Sequence, residues 1–252
     1  PSEAWSSEPV GIVFHTTESH QAQFTAEQNQ QLKRITNGLL DGVKERQSYN
    51  FVIDRFGRVF RVVEESNAAN HSGNSVWADE EHAYINLNHS FLGVSFEAQS
   101  GGEPGRLTGA QIHSGRILTD YLRAKYKLPT TNCITHAQVS VNPSNMLIGY
   151  HTDWAQGFPF EEIGLPNNYA IPVPALINFG FEHDASFRKT MGDRVWPGIG
   201  LAEQQFVKNA IQSGRTLGSH RATLQERYRK LYSTLRQTGA LDESFNVTSN
   251  SQ

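Results

Sequence analysis

Three side chains in this sequence have the chemistry of a metal site: His15, His136 and Asp153. His15 closes an apolar run that starts at Val10, and His136 closes another that starts at Asn132. Two neutral imidazoles and a carboxylate form a ligand set that holds zinc and leaves a fourth position for water. Zinc lowers the pKa of that water toward neutrality and polarises a carbonyl, as amide hydrolysis requires. Hydrogen-bonded structural histidines are the alternative interpretation.

The elements that must position these side chains follow from apolar periodicity. Short β-branched runs predict five strands, with a hairpin formed by the second and third: 10–15, 49–54, 58–63, 92–98 and 132–136. Two capping-box patterns open helices, one at Thr25–Gln28 that runs to about Glu45 and one at Thr108–Gln111. We expect the second helix to turn four residues inward: Ile117, Leu118, Tyr121 and Leu122.

The remaining segments are predicted as long loops, at 64–90 and 137–154, and as a region of different character after about residue 166. That region is irregular at first and then shows helical patterns near 202–212 and 217–237. The pattern therefore predicts an α/β fold with a mixed central β-sheet flanked by helices and a C-terminal, mainly helical extension. We place a catalytic domain at 1–166 and a helical extension or small accessory domain at 167–252.

Composition narrows the possible partners. A net charge of −3 gives no basic surface for nucleic acid. No apolar run approaches the roughly 18 residues of a membrane span. The single cysteine, Cys133, excludes an intrachain disulfide framework. We expect a monomer whose metal ligands are histidines and carboxylates.

Six short motifs then occur in an order known from one family. They are Phe14-His-Thr16, Ser48-Tyr-Asn-Phe51 with Asp54-Arg-Phe-Gly57, His71-Ser-Gly73, Gly93-Val-Ser-Phe-Glu97, Thr135-His136 and His151-Thr-Asp153. With these motifs the chain resembles the type 2 N-acetylmuramoyl-L-alanine amidases, the superfamily of phage amidase-type lysozymes, anhydromuropeptide amidases and peptidoglycan-recognition proteins. The resemblance covers roughly residues 8 to 165.

The resemblance implies a hydrolase with one zinc ion that cleaves the amide bond between N-acetylmuramic acid and L-alanine in peptidoglycan or muropeptides. Its ligands would be His15, His136 and Asp153. The alternative within the superfamily is a peptidoglycan-recognition module that binds without cleaving. Such a substrate places the protein in the periplasm, at the cell surface or outside the cell, although some relatives recycle wall fragments in the cytoplasm.

The same resemblance implies two catalytic residues, Tyr49 and His151. Tyr49 would orient water or bond the developing oxyanion. His151, two residues before the third ligand, would stabilise the oxyanion as a cation or donate a proton to the departing amine. The chain departs from the family at its catalytic glutamate, which follows a Gly-Ile pair in the anhydromuropeptide amidases, because Ser95 follows Gly93-Val94 here. Glu97 shares the strand face of Ser95 and would be the general base or, alternatively, a carboxylate at the rim of the site. Four residues are predicted to contact the substrate: His71, Asn50, Ser95 and Asn88.

Overall fold

The computed structural model describes residues 8–100 and 107–238. Residues 1–7 and 101–106 of the predicted catalytic domain and residues 239–252 of the predicted extension lie outside the described part. Within it there are nine strands: β1 Gly11–Thr16, β2 Phe51–Ile53, β3 Val59–Arg61, β4 Val76–Ala78, β5 Ala83–Ile85, β6 Phe91–Phe96, β7 Cys133–Thr135, β8 Val141–Asn142 and β9 Leu147–Ile148. It also contains seven α-helices: α1 Asn29–Glu45, α2 Gly109–Tyr126, α3 His136–Val139, α4 Pro174–Phe179, α5 Ala185–Thr190, α6 Pro197–Gln212 and α7 Leu217–Gln237.

Five strands form the central sheet in the order β3-β2-β6-β1-β7. The pairs β2–β6, β6–β1 and β1–β7 are parallel, and β2 and β3 form the predicted antiparallel hairpin. This mixed sheet, flanked by helices and followed by C-terminal helices, confirms the predicted fold class. Every residue of β1 and β6 is buried, as expected for central parallel strands that are covered on both faces.

Strand alternation sorts the sheet residues onto two faces. One face, with Ile12 and Phe14, packs against α2 through Leu118 and Leu122. The other face contains Val13 and His15 in β1 and is covered near β2 by α1 and elsewhere by the β4–β5 hairpin. His15 therefore lies on the sheet face opposite the largest core cluster.

Two details of the predicted helices are wrong. Thr25 makes no side-chain cap bond, because a 3-10 turn over Ala26–Gln28 precedes α1 and the Gln28 side chain accepts instead from the Gln23 amide. In α2 the inward face is the Leu118/Leu122 row, whereas Ile117 and Tyr121 are exposed. Each of them precedes a core leucine by one position, which is about 100° around the helix. The predicted Thr108–Gln111 capping box is present.

The segments predicted as loops contain regular structure. Residues 64–90 hold the β4–β5 hairpin, and residues 137–154 hold α3 and the β8–β9 hairpin. Helices α4 and α5 lie in the stretch predicted to be irregular. These elements have two to six residues, too few for a periodic pattern to emerge.

A second hydrophobic cluster joins residues on both sides of the predicted boundary at 166. Ala137 and Ala155 belong to it together with Phe179, Trp196 and Tyr228. The Trp196 indole N–H also donates to the Ala155 carbonyl at 2.7 Å. The C-terminal helices thus pack directly against the segments that follow His136 and Asp153. None of the helices within 8–100 and 107–238 combines the length and apolar character that a bilayer crossing needs.

Candidate active site

His15 is positioned by the central strand of the sheet. It lies one residue before the end of β1 and is paired in register with Ser95 of β6. Because both neighbours of β1 are hydrogen-bonded strands, the backbone of His15 is fixed, and the side chain is 1% exposed.

His136 lies on the next strand–helix junction. Strand β7 ends at Thr135, so His136, predicted as the last residue of that strand, is instead the first residue of α3. The junction is fixed by the Gln138 side chain, which accepts the Thr135 backbone N–H at 3.0 Å. Cys133 lies on the other sheet face, buried in the cluster of Phe14, so the thiol does not belong to this site.

Asp153 reaches the same place from the loop after β9. Its backbone carbonyl accepts from the Ala137 amide at 3.2 Å, which ties the loop to α3. The Asp153 carboxylate then meets both imidazoles: Oδ1 lies 2.8 Å from Nδ1 of His136, and Oδ2 lies 3.3 Å from Nδ1 of His15. One donor atom from each of the three residues falls within 4.8 Å of the others. The structure brings together the three residues that the sequence selects.

The electrostatics of this cluster favour a neutral His15 imidazole beside an ionised Asp153 carboxylate. Burial lowers the pKa of His15 to about 4, and the neighbouring His136 acts in the same direction. Burial alone would raise the pKa of Asp153, but the two histidines that its carboxylate contacts, His136 before His15, hold that pKa well below its usual value. Metal ligands require this protonation pattern.

The outer ring nitrogens of both histidines also have partners. Nε2 of His15 lies 3.1 Å from Nδ1 of His71, and Nε2 of His136 lies 3.4 Å from the carbonyl oxygen of Ser72. His71 continues through its own Nε2 to the Phe91 carbonyl at 3.0 Å. Ser72 was missed by the sequence reasoning, because a backbone carbonyl has no signature in residue type.

Two predicted catalytic residues border the cluster. The Tyr49 ring centroid lies 5.2 Å from that of His15, on a residue whose φ of 62° is in the left-handed region. Burial, followed by the charge of Asp153, raises the pKa of Tyr49 to about 12, so its hydroxyl keeps its proton. The His151 ring stacks on His136 at 4.7 Å between centroids. Desolvation, followed by His136, lowers the pKa of His151 to about 4.

This pKa makes His151 a neutral imidazole at neutral pH, not the cation expected from the sequence. A neutral ring beside the cluster is able to accept a proton and later return it. The His151 residue is exposed as a whole, and the part of its ring that stacks on His136 is the part removed from solvent.

Glu97, the third predicted catalytic residue, is buried on the same strand face as Ser95 but engages other groups. Its carboxylate accepts from the Arg55 amide at 3.2 Å and from the Thr36 hydroxyl at 3.3 Å. Burial raises the pKa of Glu97, and the Arg55 amide opposes that shift. In this geometry Glu97 connects α1 to the β2–β3 turn.

The residues predicted to contact substrate are all buried, and three of them bond within the protein. The Asn88 side-chain oxygen accepts from the amides of His71 and Ser72 and from the Ser72 hydroxyl. Asn50 accepts from the Gly93 amide and donates to the carbonyls at 64 and 67. Ser95 is completely buried beside β1. Their contact with substrate stays a prediction.

Comparison with known proteins identifies the family. A family model described as N-acetylmuramoyl-L-alanine amidase matches residues 5–154, more than half of the chain. The chain belongs to the N-acetylmuramoyl-L-alanine amidase family. The matched segment contains all three clustered side chains and ends one residue after Asp153. A comparison with curated proteins gives no match.

Several solved structures are similar to this amidase-family chain. One is AmiD of E. coli in complex with anhydro-N-acetylmuramic acid-L-Ala-D-gamma-Glu-L-Lys, at 20% identity over 64% of this chain and 59% of that one, with a TM-score of 0.47. Another is AmpDh3 of Pseudomonas aeruginosa in complex with anhydromuramic pentapeptide, at 18% identity over 65% and 61%, with a TM-score of 0.47. LysC of Clostridium intestinale shares 20% identity over 65% and 91%, with a TM-score of 0.39.

The match therefore spans about three-fifths of the AmiD and AmpDh3 chains. The roles of individual residues in this family member rest on the geometry of its own site.

The clustered side chains of this amidase-family member fit a zinc ion. Two nitrogens and one carboxylate oxygen are ligand types that zinc accepts, and the donor atoms of a tetrahedral zinc site lie about 3.3 Å apart. The two distances from Asp153 to the histidines, 2.8 and 3.3 Å, are close to that separation. His15, His136 and Asp153 would hold the ion.

Proposed function

We propose that this chain is a zinc-dependent amidase that hydrolyses the bond between N-acetylmuramic acid and L-alanine in peptidoglycan or its fragments. The observation that carries the proposal is the convergence of His15, His136 and Asp153 within 4.8 Å, in a chain whose family model is that of an N-acetylmuramoyl-L-alanine amidase. Action on the wall would take place in the periplasm, at the cell surface or outside the cell, and recycling of fragments would take place in the cytoplasm. We expect a monomer.

Zinc, when bound, supplies a Lewis acid that polarises a carbonyl group and makes water acidic enough to react. The rest of the chemistry belongs to the side chains. His151, neutral and next to His136, accepts the proton of the attacking water and delivers it to the departing amine of L-alanine. The Tyr49 hydroxyl, which keeps its proton, donates a hydrogen bond to the oxygen that gains negative charge.

The test combines zinc analysis with product analysis. The purified protein is expected to hold one zinc per chain and to release peptides with a free L-alanine amine from purified sacculi. His136→Ala and Asp153→Ala are expected to lose both properties. Matched controls are His113→Ala and Asp41→Ala, at exposed helix positions, which keep both.

Two results would contradict the proposal. Intact activity in His136→Ala or Asp153→Ala would remove the metal site from the reaction. Bound zinc without release of amine from sacculi or soluble muropeptides would favour the peptidoglycan-binding module instead.

A further inference from the structure

The structure assigns a positioning role to the two-residue segment His71–Ser72: it sets the tautomer and the orientation of both histidines that would hold the zinc. This inference rests on the proposed zinc site and adds residues to it. The sequence predicts that His71 and Asn88 touch substrate; in the structure His71 contacts His15, and Asn88 accepts from the amides of His71 and Ser72.

The Phe91 carbonyl oxygen determines the tautomer of His71. Nε2 of His71 lies 3.0 Å from the Phe91 carbonyl oxygen. A carbonyl oxygen accepts and does not donate, so Nε2 of His71 carries the proton. In a neutral imidazole the other nitrogen, Nδ1, then presents a lone pair.

That lone pair determines the state of His15. Nδ1 of His71 lies 3.1 Å from Nε2 of His15, so Nε2 of His15 must be the donor. The remaining nitrogen of His15, Nδ1, is left with a lone pair directed at Asp153, 3.3 Å away. A lone pair opposite a carboxylate oxygen is favourable when a cation lies between them, and this tautomer is therefore the one that binds metal.

The neighbouring residue does the same for the second histidine. The Ser72 carbonyl oxygen lies 3.4 Å from Nε2 of His136. Without an ion, Oδ1 of Asp153 accepts from Nδ1 of His136 at 2.8 Å. A zinc ion held by both residues would require Nδ1 to give up that proton, and the Ser72 carbonyl would then accept from the proton on Nε2. Two consecutive residues thus act on two ligands that come from different elements, β1 and α3.

Two features hold the segment in place. The Asn88 side-chain oxygen accepts from the backbone amides of both His71 and Ser72, at 3.0 and 2.7 Å. Gly93 in β6 leaves the space for the imidazole, since a Cβ atom there would lie 2.6 Å from Cγ of His71. An orientation fixed from both sides costs less entropy when the metal binds.

Two substitutions at His71 separate its two hydrogen bonds. In His71→Asn the amide oxygen reaches the position of Nδ1 and still accepts from His15, but the bond to Phe91 is lost. In His71→Gln the amide nitrogen reaches the position of Nε2 and still donates to Phe91, but the acceptor for His15 is lost. If His71 acts by positioning His15, the Asn variant should keep its zinc affinity. If His71 acts only by anchoring the loop, the Gln variant should keep it.

The measurement is the zinc dissociation constant, from competition with a chromogenic chelator. His71→Gln is expected to weaken zinc binding by about 10- to 100-fold, while His71→Asn stays within about threefold of the unaltered protein. Gly93→Ala, which displaces the His71 ring, is expected to behave like His71→Gln. His113→Gln, the same exchange at an exposed helix position, is the control and leaves the affinity unchanged.

A second readout is independent of metal affinity. Long-range proton–nitrogen NMR spectra are expected to show His71 with its proton on Nε2, with and without zinc. A proton on Nδ1 of His71, or zinc affinity in His71→Gln equal to that of the unaltered protein, overturns this inference alone. A chain that binds no zinc in any form overturns the proposed function and this inference together.

Discussion

Nδ1 of His136 and Oδ1 of Asp153 lie 2.8 Å apart, and a backbone bond from Ala137 to the Asp153 carbonyl joins the same two segments. Asp153, the ligand from the loop, is therefore held against His136 at the start of α3 by both main chain and side chain. This arrangement fixes Asp153 in place, although its loop lies outside the regular sheet.

Zinc binding through the Asp153 carboxylate should raise the free energy of unfolding. Zinc that binds the folded chain alone raises the free energy of unfolding, by about 4 kcal/mol at a thousandfold excess over its dissociation constant. We expect this gain in the unaltered protein and in Asp41→Asn, and its loss in Asp153→Asn, where the ligand charge is gone. Urea unfolding with and without zinc measures it. An equal gain in Asp153→Asn would show that zinc binds elsewhere.

The zinc-free protein should lose stability in mild acid. The pKa of His15 falls to about 4 on folding, so between pH 6.5 and 4 the unfolded chain binds a proton that the folded chain does not. The free energy of unfolding then falls as pH falls, by about 1.4 kcal/mol per pH unit for each such histidine. Urea unfolding at pH 7, 6 and 5 with a chelator measures the slope. A slope as steep in His15→Asn would assign the effect to other groups.

His151 should govern the rate and not the binding of metal. Its neutral ring stacks on His136 and is proposed to transfer a proton. His151→Gln keeps a polar side chain but cannot transfer the proton, so kcat is expected to fall by about 10²- to 10⁴-fold with zinc content unchanged. An activity assay on muropeptides measures kcat, and elemental analysis measures the zinc content. A normal kcat in His151→Gln would remove the residue from the mechanism.

Glu97 should matter more for stability than for the rate. Its carboxylate accepts from a buried hydroxyl, that of Thr36, and from the Arg55 amide. Glu97→Gln puts an amide donor beside those donors and is expected to cost about 1 to 3 kcal/mol of unfolding free energy, because buried polar groups lose partners. We expect kcat to change by less than about tenfold, since a lost general base costs 10² or more.

Thr36→Val is the matched control for that experiment. It removes one donor to Glu97 and leaves the carboxylate charge in place, so a smaller loss of stability with unchanged kcat is expected. A large fall in kcat for Glu97→Gln, without loss of stability, would restore the general base that the sequence suggested.

The central strands and the metal cluster could be predicted because each leaves a clear pattern in the sequence. Buried parallel strands are continuous apolar runs, and residues at the ends of adjacent strands meet at one edge. His15 and His136 follow from that rule, and motif order selects Asp153. The β4–β5 hairpin and α3 were not predicted, because each element is too short to show a periodic pattern of apolar residues.

The positions of polar side chains around the site were harder to predict. Asn88 and His71 have residue types that suit a substrate as well as they suit an internal hydrogen bond. Their burial depends on the loop at 71–72 folding back onto β6, which no local pattern encodes. The domain boundary at 166 remains a prediction.

Ala137, Ala155 and Trp196 share one hydrophobic cluster, so substitutions in the C-terminal helices are expected to affect the segments that follow His136 and Asp153. Ala137 follows one proposed ligand, and Ala155 lies two residues after another, so the segments that carry these ligands pack against a helical region that contains no proposed ligand. Replacing or trimming that region would leave every reactive group in the sequence and still loosen the grip on the ion. The chemistry of the site is thereby made dependent on packing contributed from a remote part of the chain.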